Sequence, residues 1–352
     1  MPDSNKKILI IGSGAVGTTL AYWLAPCHSQ LYVLDQGETL DCIRKNGVTA
    51  YLQNHKAEAQ AKSVTTIKQF NEIDTPDYIF LCVKNYSLAP LAEAIIEHYG
   101  KAPVVVGFQN GAENQTILPN YFAKVIYGVI CYNAWIDSPG VVGYQKHGPL
   151  VLGTTDNSLQ AEMQELQSIM NPGVPTVITH HLQDAVMSKI IINLTNSFTT
   201  LVGFGYQPID DESIFQKVLS NLTYEGTRIA QKAGYEECKL GGMPSWFLIK
   251  LSANLPQFLT RGLFRKNVKK MVVSSMAQDV IANKRGDNEL ESINGYLLEL
   301  ADKYQVDAPY NRAMYALCKE AFANPDFKPV TVKQAWQKMQ PYLGQPKALT
   351  SS

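Results

Sequence analysis

Residues 8–17, ILIIGSGAVG, constrain the fold more than any other stretch of the chain. Ile8, Leu9, Ile10 and Ile11 form a short continuous apolar run, as in a strand buried on both faces, and it passes directly into glycines at 12, 14 and 17. Each glycine of this GxGxxG spacing meets a different steric demand. Gly12 permits the tight turn, Gly14 lets backbone approach a pyrophosphate, and Gly17 lets the next helix pack close to the strand. Ordinary turns also carry such glycines, so context decides. Here the motif opens a helical pattern (Ala15, Val16, Leu20, Ala21, Leu24), and a second apolar run, residues 31–34, ends in Asp35 at the distance expected of a ribose partner. The expectation is a dinucleotide held by Gly12, Ser13, Gly14, Ala15, Val16 and Gly17, with its phosphates at a helix N-terminus.

The chain is 352 residues long, enough for two domains, and Lys plus Arg balances Asp plus Glu at 31 each. Without a long block of one sign, neither a nucleic-acid nor a membrane-surface partner is expected, and a small molecule is. The six cysteines are scattered, with no CxxC pair and no Cys/His spacing of a zinc site, which fits free thiols in a reducing compartment and no metal. Lys6 and Lys7 ahead of an apolar stretch resemble a secretory signal, but three glycines inside that stretch argue against one, and no segment is apolar for long enough to span a bilayer. A cytoplasmic location is expected.

Strand and helix patterns alternate after Asp35: a helix over 38–46 closed by Gly47, a buried strand over 78–83, a helix over 88–99, and a strand over 104–108 ending at Gln109-Asn110-Gly111. This is the pattern of an α/β fold, a Rossmann-type doubly wound parallel sheet. Residues 124–153 are β-rich and are expected to extend the same sheet; a helix over 159–170 and a strand near 176–179 follow. Beyond His180 nearly everything reads as helix, over 182–202, 213–233, 268–282, 293–304 and 311–323. The predicted organisation is a dinucleotide-binding domain over 1–179, an all-helical substrate domain over 180–325 and a C-terminal extension over 326–352, loose and polar from about Gly344. An aromatic and leucine-rich segment over 243–264, broken by Pro244, Pro256 and Gly262, reads as short helices at a pocket or partner surface, or as a core-facing connection.

The 182–202 helix is apolar almost all round, so its polar residues carry information. Lys189, Asn193 and Ser197 recur at i, i+4 and i+8, with Asn196 beside them, forming one stripe. A lysine so placed would have its pKa lowered by desolvation and suit proton donation near neutral pH; a wet helix edge would show the same pattern. Ser274, Ser275, Gln278, Asp279 and Glu289 offer hydroxyls and carboxylates for a small polar substrate, although helix caps and solvated faces use the same residues.

Together these residues resemble the ketopantoate reductase (2-dehydropantoate 2-reductase) family of the 6-phosphogluconate dehydrogenase-like group, across residues 6–323. The resemblance is carried by the 12–17 glycine turn, Cys82-Val83-Lys84, Gln109-Asn110-Gly111, Lys189 with Asn193, Ser274 through Asp279, and Glu289 ahead of Ile293-Asn294-Gly295. It implies that Lys189 is the general acid protonating a substrate ketone as hydride arrives from the nicotinamide, and that Glu289 is the active-site glutamate. It further implies that Asn193 and Ser275 hold the substrate's hydroxyl and carboxylate groups, and that Lys84 and Asn110 lie at the nicotinamide end of the cofactor and the substrate. The implied activity is NAD(P)H-dependent reduction of ketopantoate to pantoate, in pantothenate and coenzyme A synthesis, and a homodimer is consistent with it.

The chain departs from the family pattern in three places. Ser197 stands where a second asparagine is usual, with Asn196 one residue away as a stand-in. The loop over 283–288 is longer by about two residues, and 246–264 reads as an insertion near the substrate side. The family's arginine for the 2′-phosphate of NADPH is replaced by Asp35-Gln36-Gly37; an aspartate accepts hydrogen bonds from a free 2′-hydroxyl and repels a phosphate, which favours NADH. The rival expectations are a reductase of another branched 2-keto acid or an imine, and a nucleotide-binding sensor without turnover.

Overall fold

The computed structural model describes residues 5–238, 244–284 and 288–343. The chain forms two compact units, Met1–Gln183 and Asp184–Ser352.

The first unit is built on an eight-stranded sheet of β1 (Ile8–Ile11), β2 (Leu31–Leu34), β4 (Thr65–Ile67), β5 (Tyr78–Leu81), β6 (Val104–Gly107), β7 (Val125–Ile130), β10 (Leu150–Gly153) and β11 (Thr176–Ile178). The spatial order is β11-β10-β7-β6-β5-β1-β2-β4. All neighbours run parallel except β7 and β10, and the central register sets Ile8 opposite both Leu31 and Tyr78. β1, β5, β6 and β10 are buried along their whole length, which is why their sequences are unbroken apolar runs rather than alternating ones. Helices α1 (Ala15–Leu24), α2 (Gly37–Asn46), α3 (Leu88–Tyr99), the short α4 (Asn114–Ile117) and α5 (Gln160–Met170) make the connections. Leu20 and Leu24 of α1 and Met163, Leu166 and Met170 of α5 pack with Ile8, Ile10, Phe80 and Val106 of the sheet in one core. The strand order reverses between β1 and β5, placing the glycine turn at the carboxyl end of the sheet at its switch point.

The 124–153 expectation holds only in part. β7 and β10 join the main sheet, but β8 (Ala134–Ser138) and β9 (Val141–Tyr144) form a separate three-stranded sheet with β3 (Thr49–Leu52). β9 pairs in parallel with β3 from Thr49↔Val141 to Leu52↔Tyr144, so the hairpin turning at Gly140 is drawn away by a strand some ninety positions earlier.

The second unit is helical. α6 (Leu182–Asn193), which starts at the unit boundary, is followed by α7 (Thr195–Leu201), α8 (Glu212–Lys232), α9 (Trp246–Asn254), α10 (Gln257–Val268), α11 (Ser275–Ala277), α12 (Tyr296–Lys303), α13 (Pro309–Phe322) and α14 (Val332–Leu343). Asp211 caps α8 by accepting from the backbone N–H groups of Ser213 and Ile214. Phe198, Phe215, Leu222, Met276, Met314 and Leu317 form the core, joined by Val332, Ala335 and Met339, one stripe of α14, which the expected C-terminal extension contributes ahead of Gly344. Residues from 344 onward lie outside the described part.

Three helical expectations are corrected. The 182–202 helix is interrupted at Leu194, where the hydroxyls of Thr195 and Ser197 donate to the carbonyls of Ile192 and Leu194, competing with the helix ladder. The single helix expected over 268–282 is instead the end of α10, an irregular stretch, α11 and a π-helix, Gln278–Ala282. Likewise the 293–304 helix begins as a π-helix, Glu291–Gly295, which continues into α12.

Glu225, inside α8, is 4% exposed and accepts hydrogen bonds from the backbone N–H groups of Tyr310 (2.9 Å) and Asn311 (2.9 Å) and from the Asn311 side-chain amide (2.9 Å). It thereby clamps the start of α13. Burial raises its pKa to about 7, against the downward pull of those three donors. Because the folded state holds this proton more tightly than the unfolded chain, stability is highest below the ordinary carboxyl value and falls as pH rises toward 7, by about 3 kcal/mol for this group. Urea unfolding at about pH 5 and about pH 8 is expected to show that loss. Glu225→Gln is expected to flatten the difference.

Candidate active site

The glycine turn separates three steric roles. Gly12 has φ +93°, and a Cβ there would lie 2.8 Å from Cγ1 of Val83. At Gly17 a Cβ would collide with the carbonyl oxygen of Gly12 and sit 3.2 Å from Cβ of Cys82, so the approach of α1 to β1 needs a bare backbone. A Cβ at Gly14 would meet nothing within 4 Å. That open space lies at the N-terminus of α1, which no side chain caps and whose first turn holds no acidic residue, leaving the positive end of the helix to an anion. A dinucleotide's pyrophosphate fits this cradle.

Asp35, expected at the end of the second strand, is more than a solvated turn residue. Its Oδ2 accepts from the backbone N–H of Ser13 (2.6 Å) and from the Ser13 hydroxyl, while Oδ1 accepts from the N–H of Gln36 (2.7 Å). The carboxylate thus ties β2 to the glycine turn.

Lys84 and Asn110 follow β5 and β6, at the same carboxyl edge. Gln109, to which no site role was assigned from the sequence, organises this edge: its amide donates to the carbonyls of Leu81 (2.7 Å) and Val83 (3.0 Å) and its Oε1 accepts from Asn114 (3.2 Å). Asn85 donates to the Asn110 carbonyl (3.3 Å). The only signal for these brackets was the run of amide side chains after an apolar strand.

In the second unit, Lys189 and Asn193 occupy successive turns of α6; Lys189 is half-buried and Asn193 is 7% exposed. Asn196 is half-buried in α7. Ser197, expected on the substrate stripe, has no exposed surface: its hydroxyl donates to the Leu194 carbonyl (2.8 Å) and accepts from the Asn294 amide (3.2 Å). Rather than presenting a hydroxyl to solvent, it links α7 to the Glu291–Gly295 π-helix. Ser275 donates to Glu289 (3.4 Å), bringing together two residues fourteen positions apart; Glu289 is 9% exposed. Ser274 caps α11 by accepting from the Ala277 N–H (3.1 Å) and lies 3.4 Å from the Thr200 hydroxyl. Thr200 and Asn294 were not singled out as site residues, because their roles depend on which helices pack together. Two π-helices in one small region match the recurrence of that geometry at functional sites. The 283–288 loop lies partly outside the described residues.

The fold and the glycine turn define a Rossmann-type dinucleotide-binding protein with a helical second unit. More narrowly, the chain belongs to the ketopantoate reductase PanE/ApbA family: the family's profile matches residues 8–157, and that of its C-terminal region matches residues 181–321. It is an NAD(P)H-dependent oxidoreductase. Among its relatives, 2-dehydropantoate 2-reductase of Pyrococcus horikoshii is 26% identical over 89% of this chain and 96% of its own, and that of Pyrococcus abyssi is 23% identical over 89% and 97%. In fold, D-mandelate dehydrogenase in its ternary structure with NADH and anilino(oxo)acetate superimposes with a TM-score of 0.72 at 20% identity, covering 92% of this chain and all of that one. The PanE/ApbA family ketopantoate reductase of Ralstonia eutropha gives 0.68 at 20% identity, covering 95% and 99%.

Gly14 and Gly17 should separate experimentally. Gly17→Ala is expected to cost about 1–3 kcal/mol in thermal unfolding, because a backbone must move to admit the methyl group. Gly14→Ala should leave the melting temperature nearly unchanged yet weaken NADH or NADPH binding, followed by nicotinamide fluorescence, at least about tenfold by filling the space a pyrophosphate needs.

Proposed function

We propose that this protein reduces 2-dehydropantoate to pantoate with a reduced nicotinamide dinucleotide, in the cytoplasm, feeding pantothenate and coenzyme A synthesis. The observation that carries this reading is the pair Lys189 and Asn193 on successive turns of a mostly buried helix, in the same unit as the Ser275–Glu289 hydrogen bond. Similarity to relatives named 2-dehydropantoate 2-reductase over 89% of the chain supports it.

When bound, the reduced nicotinamide supplies a hydride for the carbonyl carbon. Gly12 through Gly17 hold the dinucleotide's phosphates on the α1 N-terminus, with Lys84 and Asn110 at the nicotinamide end. Lys189 donates a proton to the ketone oxygen, so that hydride and proton together convert C=O to CH–OH. Asn193, Asn196 and Ser275 hold the substrate's hydroxyl and carboxylate groups, and Glu289, kept in place by the Ser275 hydroxyl, completes the polar set. Ser197 supports the site from beneath through Asn294 rather than by touching substrate.

A second reading, reduction of another branched or aromatic 2-keto acid, draws on the D-mandelate dehydrogenase likeness and on the buried serine where the family usually has an asparagine. Absorbance assays of the purified protein with ketopantoate, benzoylformate and other 2-keto acids distinguish the two. Ketopantoate is expected to be the best substrate, and Lys189→Ala to lower kcat about 10²–10⁴-fold while nicotinamide binding persists. Silence on ketopantoate with turnover of another keto acid would keep the mechanism and discard the pathway. Cofactor binding without turnover of any acid would leave a sensor.

The Asp35 carboxylate at the end of β2 favours a ribose bearing a free 2′-hydroxyl over one bearing a phosphate. Turnover is accordingly expected to be more efficient with NADH than with NADPH, and Asp35→Asn should narrow the gap. Equal or better kcat/KM with NADPH in the unaltered protein would rule this preference out.

A further inference from the structure

Helices α9 and α10 are firmly seated on one side and apolar on the other. Trp246 and Ile249 of α9 are buried and line a small hollow with Ser188, Ile191 and Ile192 of α6. α10 is held to α8 by Gln216 donating to Thr260 (2.7 Å), by Gln257 donating to the Ser213 carbonyl (2.9 Å), by the Arg265–Glu212 ion pair (2.6 Å) and by an edge-to-face contact of Phe264 with Phe215. The inward residues of α10, at 257, 260, 264 and 268, follow the helical repeat, so the outer face is fixed by the packing.

That outer face carries large apolar side chains interleaved with basic ones. Of the twelve large apolar side chains exposed among the described residues, six fall here: Phe247, Leu248, Leu255, Phe258, Leu259 and Leu263, with Phe258 at 77% and Phe247 at 65%. From Pro244 to Gln278 the sequence holds no Asp or Glu and six cations, Lys250, Arg261, Arg265, Lys266, Lys269 and Lys270, all exposed. The balanced charge of the whole chain conceals this local excess. Neither helix can cross a bilayer, α9 having 9 residues and α10 having 12.

We propose that the α9–α10 hairpin docks the protein on an anionic lipid surface, its Phe and Leu side chains entering the acyl boundary and its Lys and Arg side chains meeting headgroup phosphates. Exposed Phe and Leu interleaved with long Lys and Arg side chains, on helices too short to span, are the composition of an interfacial anchor, and the cytoplasmic leaflet carries the complementary charge. A second copy is the weaker occupant. A two-fold contact sets the same patch against itself, bringing six cations opposite six others, while Arg265 is paired with Glu212 of α8.

The test is co-sedimentation of the full-length protein with phosphatidylcholine vesicles and with vesicles also containing phosphatidylglycerol, at low and high salt, alongside analytical ultracentrifugation without lipid. The protein is expected to bind the phosphatidylglycerol vesicles selectively and to be released by salt. Arg261→Glu with Lys266→Glu should weaken binding at least about tenfold, since each basic residue near such a surface is worth about fivefold. Phe258→Ser with Leu259→Ser should abolish it. Both pairs are exposed, so circular dichroism and melting should match the parent; were the serine pair to misfold, the charge pair decides alone. Equal binding to both vesicle types, no binding, or binding indifferent to the substitutions would overturn the proposal. So would a dimer that the serine pair dissolves in protein that binds no vesicle, which would give the hairpin to a second copy.

Discussion

Everything in the first unit depends on how closely α1 approaches β1. Gly17 lies so near the Gly12 carbonyl that no side-chain carbon fits between them. That contact sets the helix axis over the central strand, seats Leu20 and Leu24 against Ile8 and Ile10, and leaves the N-terminal end of the helix open above Gly14. Packing and anion binding are therefore consequences of one missing methyl group. The surrounding sheet makes the arrangement rigid, because β1 is hydrogen-bonded on both sides along its full length.

The second unit relies on a different principle. Polar groups in it pair between segments: Ser197 with Asn294, Ser274 with Thr200, Ser275 with Glu289, and Glu225 with the start of α13. Each pairing penalises a slipped helix, since a displaced partner would leave a buried donor or acceptor unmatched. The unit gains a defined arrangement of side chains where a purely apolar bundle could slide.

What could be read from sequence follows from the range of the forces involved. The buried runs at 8–11, 78–81 and 104–107, and the helix over 88–99 closed by Gly100, are local patterns, and the structure reproduces them within a residue or two. The glycine turn was legible because its demands are steric and local. By contrast, the pairing of β9 with β3 depends on segments far apart in the chain, and a strand pattern does not name its partner. Ser197 was placed on a face by counting residues, but whether that face is wet depends on Asn294, nearly a hundred residues on. The π-helices were illegible for the same reason: an extra residue per turn is imposed by tertiary contacts, not by propensity. The basic excess over 244–278 was hidden by the balanced total, and the exposure of the α9–α10 hairpin depends on packing that no local pattern states.

The carboxylate of Asp35 joins two properties that are usually treated as separable. The oxygen that closes the turn through Ser13 belongs to the carboxylate proposed above to discriminate at the ribose. A replacement that removes both side-chain oxygens of Asp35 would also release the Ser13 amide and loosen the turn. At this position the charge can be removed without losing the tether only by a side chain that keeps an accepting oxygen, as asparagine does.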